Sequence, residues 1–258
     1  MTDIVTGIVH DLPVSEIELW RSSLEASGFR GPVVLFAYSP EPSLCRWASR
    51  CGVRLMRIDG RPEAPKRFNK ERWRLYDELI VDEDLLHCRF IATDVRDVFF
   101  QRNPSLWLDA TNDALVLSSE GINYEDDPWN LLHAVDFCGP RRYESLLHGR
   151  PVINAGVVAG LGRPFASFCR QIYARMYDKP DNISDQIVLG TVAAEHQLRP
   201  RDLDEGWACH GAASRLLEKP PIIIGNDVCT PAGMPFAIVH QYAHNARWFR
   251  AIERKIKE

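Results

Sequence analysis

Short apolar runs alternate with longer amphipathic stretches along this chain. Ile4-Val5-Thr6-Gly7-Ile8-Val9 is short and β-branched, which predicts a strand. Pro13 and Ser15 open a stretch with Val14, Ile17, Trp20 and Leu24 at helical spacing. Gly28 and Gly31 punctuate, and Pro32 to Ala37 predicts a buried strand. A short helix over Leu44 to Ala48 and a third strand over Val53 to Ile58 continue the rhythm. Strands alternating with helices imply a mostly parallel sheet covered on both faces.

The second half of the pattern is less regular. A helix is predicted over 66–81, with Trp73, Tyr76 and Ile80 on one face and Arg67, Lys70 and Arg74 on another. Cys88 to Thr93 predicts a fourth strand that stops at Asp94, and Ala114 to Leu117 a fifth. Residues 120–130 carry no clear period and read as a long loop. Val152-Ile153 begins another strand. Phe165, Phe168, Cys169, Ile172 and Met176 mark an amphipathic helix, and Ser184 is a plausible N-cap for a helix to about Glu195. Two short strands near 221–224 and 236–239 and a closing helix through Phe249, Ile252 and Ile256 complete the chain. Without repeat, low-complexity segment or linker, the expectation is one α/β domain spanning residues 1–258.

Composition narrows the function classes. Hydrophobic residues are 45% of the 258 and charged residues 26%, enough to build a core and exclude general disorder. The balance of 31 Lys+Arg against 35 Asp+Glu gives −4, which does not favour nucleic acid as a partner. No apolar run approaches the ~18 residues of a membrane helix. The first residues lack a basic region followed by an apolar stretch, so no secretory signal is visible and a cytoplasmic protein is expected. The 7 cysteines are scattered without a Cys-x-x-Cys pair, which reads as reduced thiols. A P-loop, a Gly-rich dinucleotide loop and a Gly-x-Ser-x-Gly elbow are all missing, which argues against those kinases, dehydrogenases and hydrolases.

In open α/β sheets ligands sit beyond the carboxyl ends of the strands, and Asp94 stands at such an end. Asp94 and Asp97 flank Arg96 inside an otherwise apolar run. They pair with Arg96 or cap a turn, or else they hold a hard divalent cation. Asn154 lies in an apolar strand, where a buried amide needs partners such as sugar hydroxyls or a local turn.

The run Thr93-Asp94-Val95-Arg96-Asp97-Val98-Phe99-Phe100-Gln101, followed by Asn103-Pro104, resembles the acidic motif of nucleotide-sugar glycosyltransferases with the GT-A fold. Ile153-Asn154-Ala155-Gly156-Val157 is similar to the "NAG" strand of glycogenin-like and bacterial galactosyltransferases. Ser184-Asp185-Gln186 resembles their "DQ" pair, and Val239-His240-Gln241-Tyr242 their C-terminal block. The order fits over roughly residues 4–250. Two departures stand out: the acidic pair is DxxD rather than DxD, and Ala243 stands where an acidic residue usually follows the C-terminal block.

The resemblance implies transfer of a sugar from a nucleotide-diphosphate donor, most often a UDP-sugar, to a soluble or glycan acceptor. Mn²⁺ or Mg²⁺ would be held by Asp94, Asp97 and His240, with Asp94 also near the nucleotide. Asn154, Ala155 and Gly156 would contact the donor, and Asp185 and Gln186 the reacting sugar. Arg67 and Arg74 either help bind the diphosphate or line a solvated helix face. Glu120 would reach the acceptor or act as a base. Tyr124 and Trp129 offer flat surfaces to an acceptor, unless Trp129 plugs the core. The alternatives are a sugar nucleotidyltransferase and a non-catalytic sugar- or nucleotide-binding relative. The first normally carries a Gly-rich basic loop after its first strand, where this chain has Val9-His10-Asp11-Leu12-Pro13.

Overall fold

The computed structural model describes residues 1–60, 68–176 and 184–257. The first half runs β1 (Asp3–Val9), α1 (Val14–Ala26), β2 (Val33–Tyr38), α2 (Pro42–Arg50), β3 (Arg54–Ile58), α3 (Phe68–Asp82), β4 (Arg89–Thr93), β5 (Val98–Phe100) and α4 (Pro104–Asp109). The second half runs β6 (Leu115–Asn123), α5 (Pro128–Cys138), α6 (Pro140–Leu146), β7 (Pro151–Leu161), α7 (Gly162–Met176), α8 (Ser184–Glu195), β8 (Ala208–His210), β9 (Ile222–Ile224), β10 (Asp227–Cys229), β11 (Ile238–His240) and α9 (Ala246–Lys257). This is the expected mixed, mostly parallel α/β architecture. Among the described residues no helix is long and apolar enough to cross a membrane.

The main sheet has the order β3-β2-β1-β4-β7-β6. β3, β2, β1 and β4 pair in parallel, while β7 lies antiparallel to both β4 and β6. Successive residues of a strand point to opposite faces, and β1 shows the consequence. Ile4 and Ile8 pack with Phe36, Phe90 and the buried faces of α3, α7 and α8. Val5 and Val9 pack with Leu35, Ile91, Trp20 of α1 and Trp47 of α2 on the other side. The sheet is thus covered twice, which accounts for its near-continuous apolar strands.

A second sheet, β5-β11-β8, sits beyond the end of β4. β11 runs antiparallel to β5 and parallel to β8, in a register that sets His240 opposite Val98 and opposite His210. A distant C-terminal strand is thereby seated against the acidic turn that follows β4. β5 lies inside the apolar run read above only as part of the acidic motif.

The expected loop over 120–130 is a correction. β6 continues through Asn123, a single 3-10 turn covers Tyr124–Asp126, and α5 begins at Pro128. Asp127 caps α5: its carboxylate accepts from Trp129 N and Asn130 N, and proline occupies the first turn. Without a broad apolar stripe the helix escapes a period count, but its cap and proline are ordinary start signals.

Candidate active site

Five segments meet at the carboxyl end of β4. Asp94 follows β4 directly, and its backbone N–H donates to the Gly156 carbonyl of β7 at 2.8 Å. Gly156 in turn donates to Asn154 Oδ1 at 2.7 Å, and Asn154 Nδ2 donates to Glu120 Oε1 of β6 at 2.7 Å. Asp185 opens α8, where the helix N-terminus favours a carboxylate, and accepts from Gln186 N at 2.8 Å. His240 ends β11, with its Nε2 3.3 Å from Asp94 Oδ2.

The residue that joins them is Arg72 of α3. Its guanidinium donates to Asp94 Oδ1 at 2.7 Å and also bonds Asp185 Oδ2. It stacks beside Trp73, and its Nε finds no partner among the described residues. The sequence pattern points instead to the face of Arg67, Lys70 and Arg74. Arg74 is tied to Glu71 and Glu78 of its own helix at 2.6–2.8 Å, so it is not the free cation expected for a diphosphate. Arg67 lies outside the described residues. The missed signal was positional: Arg72 occupies the stripe of Tyr76 and Ile80, and a charge on a buried stripe requires partners.

Electrostatics separate the three carboxylates. Burial would raise Asp94, but Arg72 and the His240 contact outweigh it and hold the carboxyl well below its usual range. Asp94 still keeps 37% of its side-chain surface, while Arg72, Asp185 and His240 are buried. Asp185 is raised, because burial and the nearby Asp94 outweigh Arg72. Glu120 is also raised: burial dominates over the hydrogen bonds from Asn154 and Gln186. Gln186 Nε2 further reaches Asn130 Oδ1 at 3.2 Å.

Gly156 is the position that admits this arrangement. A Cβ there would lie 2.3 Å from His240 Cε1 and 2.8 Å from Asp94 Oδ2. Only an α-carbon without a side chain lets the imidazole and carboxylate come so close. Ala155, one residue earlier, is buried in the core cluster, so its methyl is a packing group.

The expected metal triad is not assembled. Among the described residues no group of three His, Cys, Asp or Glu side chains is placed to hold an ion. Asp97 adopts a left-handed backbone, φ 58°, and its carbonyl accepts from Gln241 N at 2.7 Å. This locked turn carries Asp97 into a separate small pocket with Glu16, Leu19 and Tyr242. Arg96 lies on the surface and pairs with Glu16 at 3.0 Å, not with either aspartate of its motif. Of the three, only Asp94 and His240 are brought together, with Asp94 Oδ2 3.3 Å from His240 Nε2.

The aromatic candidates divide. Tyr124 is fully buried in a cluster with Leu147, Val152 and Ile187, so it is core and not an acceptor platform. Trp129 is 46% exposed and stands 4.4 Å from the His133 ring, which excludes the core-plug reading. A cavity of about 570 Å³ lies at the other end of the sheet, lined by Leu115, Phe168, His196 and Arg201, and shares no residue with the site.

No family model matches the chain, and no curated protein matches it. Solved structures do. The chain is similar to the galactosyltransferase LgtC in complex with donor and acceptor sugar analogs, with a TM-score of 0.61 and 14% identity over 98% of this chain and 96% of that one. It is likewise similar to an active-site mutant of LgtC, with a TM-score of 0.64 and 15% identity over 99% and 94%. At these identities the likeness establishes the fold, which is that of a GT-A-type glycosyltransferase over nearly the full length of both chains.

Proposed function

We propose that the protein is a glycosyltransferase that moves a sugar from a nucleotide-diphosphate donor, UDP-linked in the first instance, to a hydroxyl of a separate acceptor. The observation that carries this reading is the Asp94–Arg72–Asp185 bridge at the end of β4, with Arg72 and Asp185 buried and Asp94 partly open. Two carboxylates clamped on one guanidinium are a costly arrangement for stability alone. Their positions at a strand end and a helix start, beside a buried asparagine and a bare glycine, suit the recognition of a polyhydroxylated sugar. The full-length likeness to a fold that binds donor and acceptor sugars supports it.

In the reaction the acceptor oxygen bonds to the anomeric carbon while the bond to the diphosphate oxygen breaks. The nucleoside diphosphate leaves with the electron pair, and the hydroxyl proton passes to a base. Asp185, Arg72 and Asn154 would orient the sugar hydroxyls, with Gln186 beside them. Glu120, its carboxyl raised by burial, would face the acceptor side, and Trp129 would supply an apolar surface there. Mn²⁺ or Mg²⁺ would be held by Asp94 and His240. Two donors 3.3 Å apart, one with an open carboxylate edge, fit neighbouring positions around a hard cation. Such an ion neutralises the charge that develops on the departing diphosphate.

The test is a thermal-shift screen of nucleotide sugars with and without Mn²⁺, followed by turnover of Asp185→Asn. A ligand at 100 times its dissociation constant should stabilise the protein by about 2.7 kcal/mol. Asp185→Asn should lower turnover far more than donor affinity, because the residue stands near the reacting sugar. Failure of every nucleotide sugar to shift the melting temperature would remove the reading.

A further inference from the structure

His210 belongs to no part of the motif blocks, yet it is buried at the end of β8 directly opposite His240. Its Nδ1 lies 3.0 Å from His240 Nδ1, and the two rings meet edge to face at 89°. His210 Nε2 has no hydrogen-bond partner among the described residues. His240 Nε2 faces Asp94 Oδ2 at 3.3 Å.

These contacts fix where the ring protons sit in the metal-free chain. Two neutral imidazoles carry one N–H each, and one must donate across the 3.0 Å contact while the other accepts. If His240 donated from Nδ1, the His210 proton would move to Nε2, a buried donor with no protein acceptor. The His240 Nε2 lone pair would then confront the Asp94 carboxylate. If His210 donates from Nδ1, His240 carries its proton on Nε2 and gives it to Asp94, and no N–H is left over. An unmade bond to a buried donor is expensive, so the second arrangement prevails.

We propose that His210 is the positioning residue for His240, and that it does so as an amphoteric partner. It donates to His240 when the site is metal-free and accepts from it when His240 offers its Nε2 lone pair to a cation. A cation ligand must present a bare nitrogen, which puts the His240 proton on Nδ1, and the hydrogen bond on that far nitrogen orients the ring. His210 Nδ1 is placed to take this role with no heavy atom moving; its own proton then shifts to the unpartnered Nε2, a cost that the bond from His240 to the cation must outweigh. This inference rests on the proposed cation site at Asp94 and His240.

The experiment has two independent parts. Nitrogen-15 spectra of the metal-free protein should show His210 protonated at Nδ1 and His240 at Nε2. Mg²⁺ with UDP should reverse the His240 assignment to Nδ1–H. Direct titration of Mn²⁺ with UDP present, read by the free-ion paramagnetic signal, should show about 10- to 100-fold weaker binding in His210→Leu. His210→Asn, whose amide offers either an oxygen or an N–H near the place of Nδ1, should restore it. A proton on His240 Nδ1 in the metal-free protein would overturn the proposal, as would unchanged Mn²⁺ affinity in His210→Leu. If wild-type protein binds no Mn²⁺ at all, the cation reading fails, and the metal-free spectrum still decides the role of His210.

Discussion

Gly156 and Arg72 set the site at the level of single residues. In Gly156→Ala the new methyl would meet His240 and the Asp94 carboxylate, and both are held from behind, by His210 and by Arg72. The neighbours have no room to give, so the substitution should cost about 1–3 kcal/mol and depress donor binding. Chemical denaturation and calorimetry with UDP measure the two effects, and unchanged values in both would refute the packing argument. Arg72→Ala removes the shared cation and strands two carboxylates, one of them buried. About 3–5 kcal/mol should be lost, the range for breaking a buried ion pair by taking one partner away. Much of this cluster was legible at this scale: Asp94, Asn154, Gly156 and His240 are polar or glycine breaks in apolar runs, while Asp185 and Gln186 were picked out by the resemblance of Ser184-Asp185-Gln186 to a family block. Arg72 and His210 were not, because a charge on an amphipathic helix and a histidine after three apolar residues look ordinary until their partners arrive from more than 20 residues away.

At the level of elements, helix starts and strand ends do the positioning. Asp127 caps α5 and also accepts from Asn130 Nδ2 at 2.7 Å, while Asn130 Oδ1 receives Gln186 at 3.2 Å. One cap therefore fixes both the start of a helix and the Gln186 side chain at the proposed sugar site. Asp127→Ala should cost about 1 kcal/mol, as for an N-cap, and should also lower turnover through Gln186. Asp126→Ala is the control, since Asp126 closes the preceding turn by accepting from Asn123 N and does not touch Gln186. Equal turnover in the two variants, with equal losses in stability, would show that the cap is merely structural. Sequence periodicity located the sheet strands and the long helices, whose apolar stripes are complete. It failed between 120 and 146, where short helices lack a stripe. It also gave no warning that β5 would pair with a strand about 140 residues later, because strand pairing is a tertiary fact.

Across the whole molecule the three carboxylates pull stability in opposite directions as pH changes. Asp94 is depressed below its ordinary value, so its share of stability is present above that value and is lost as acid protonates the folded chain. Glu120 and Asp185 are raised, so their favourable neutral forms contribute below their ordinary values and that share is lost as pH climbs through the folded values. A fold optimised for stability would not bury Glu120 beside an asparagine; a site that needs a carboxyl raised above its ordinary range would. Glu120→Gln keeps an oxygen for Asn154 and removes the charge. Its stability relative to wild type should therefore increase with pH above the ordinary glutamate range and level off once Glu120 is ionised in the folded protein. Urea unfolding of both proteins from pH 4 to 8 reads this directly. A difference that stays constant across that range would mean Glu120 titrates normally, and the buried carboxyl could not then be the group poised to handle a proton on the acceptor side.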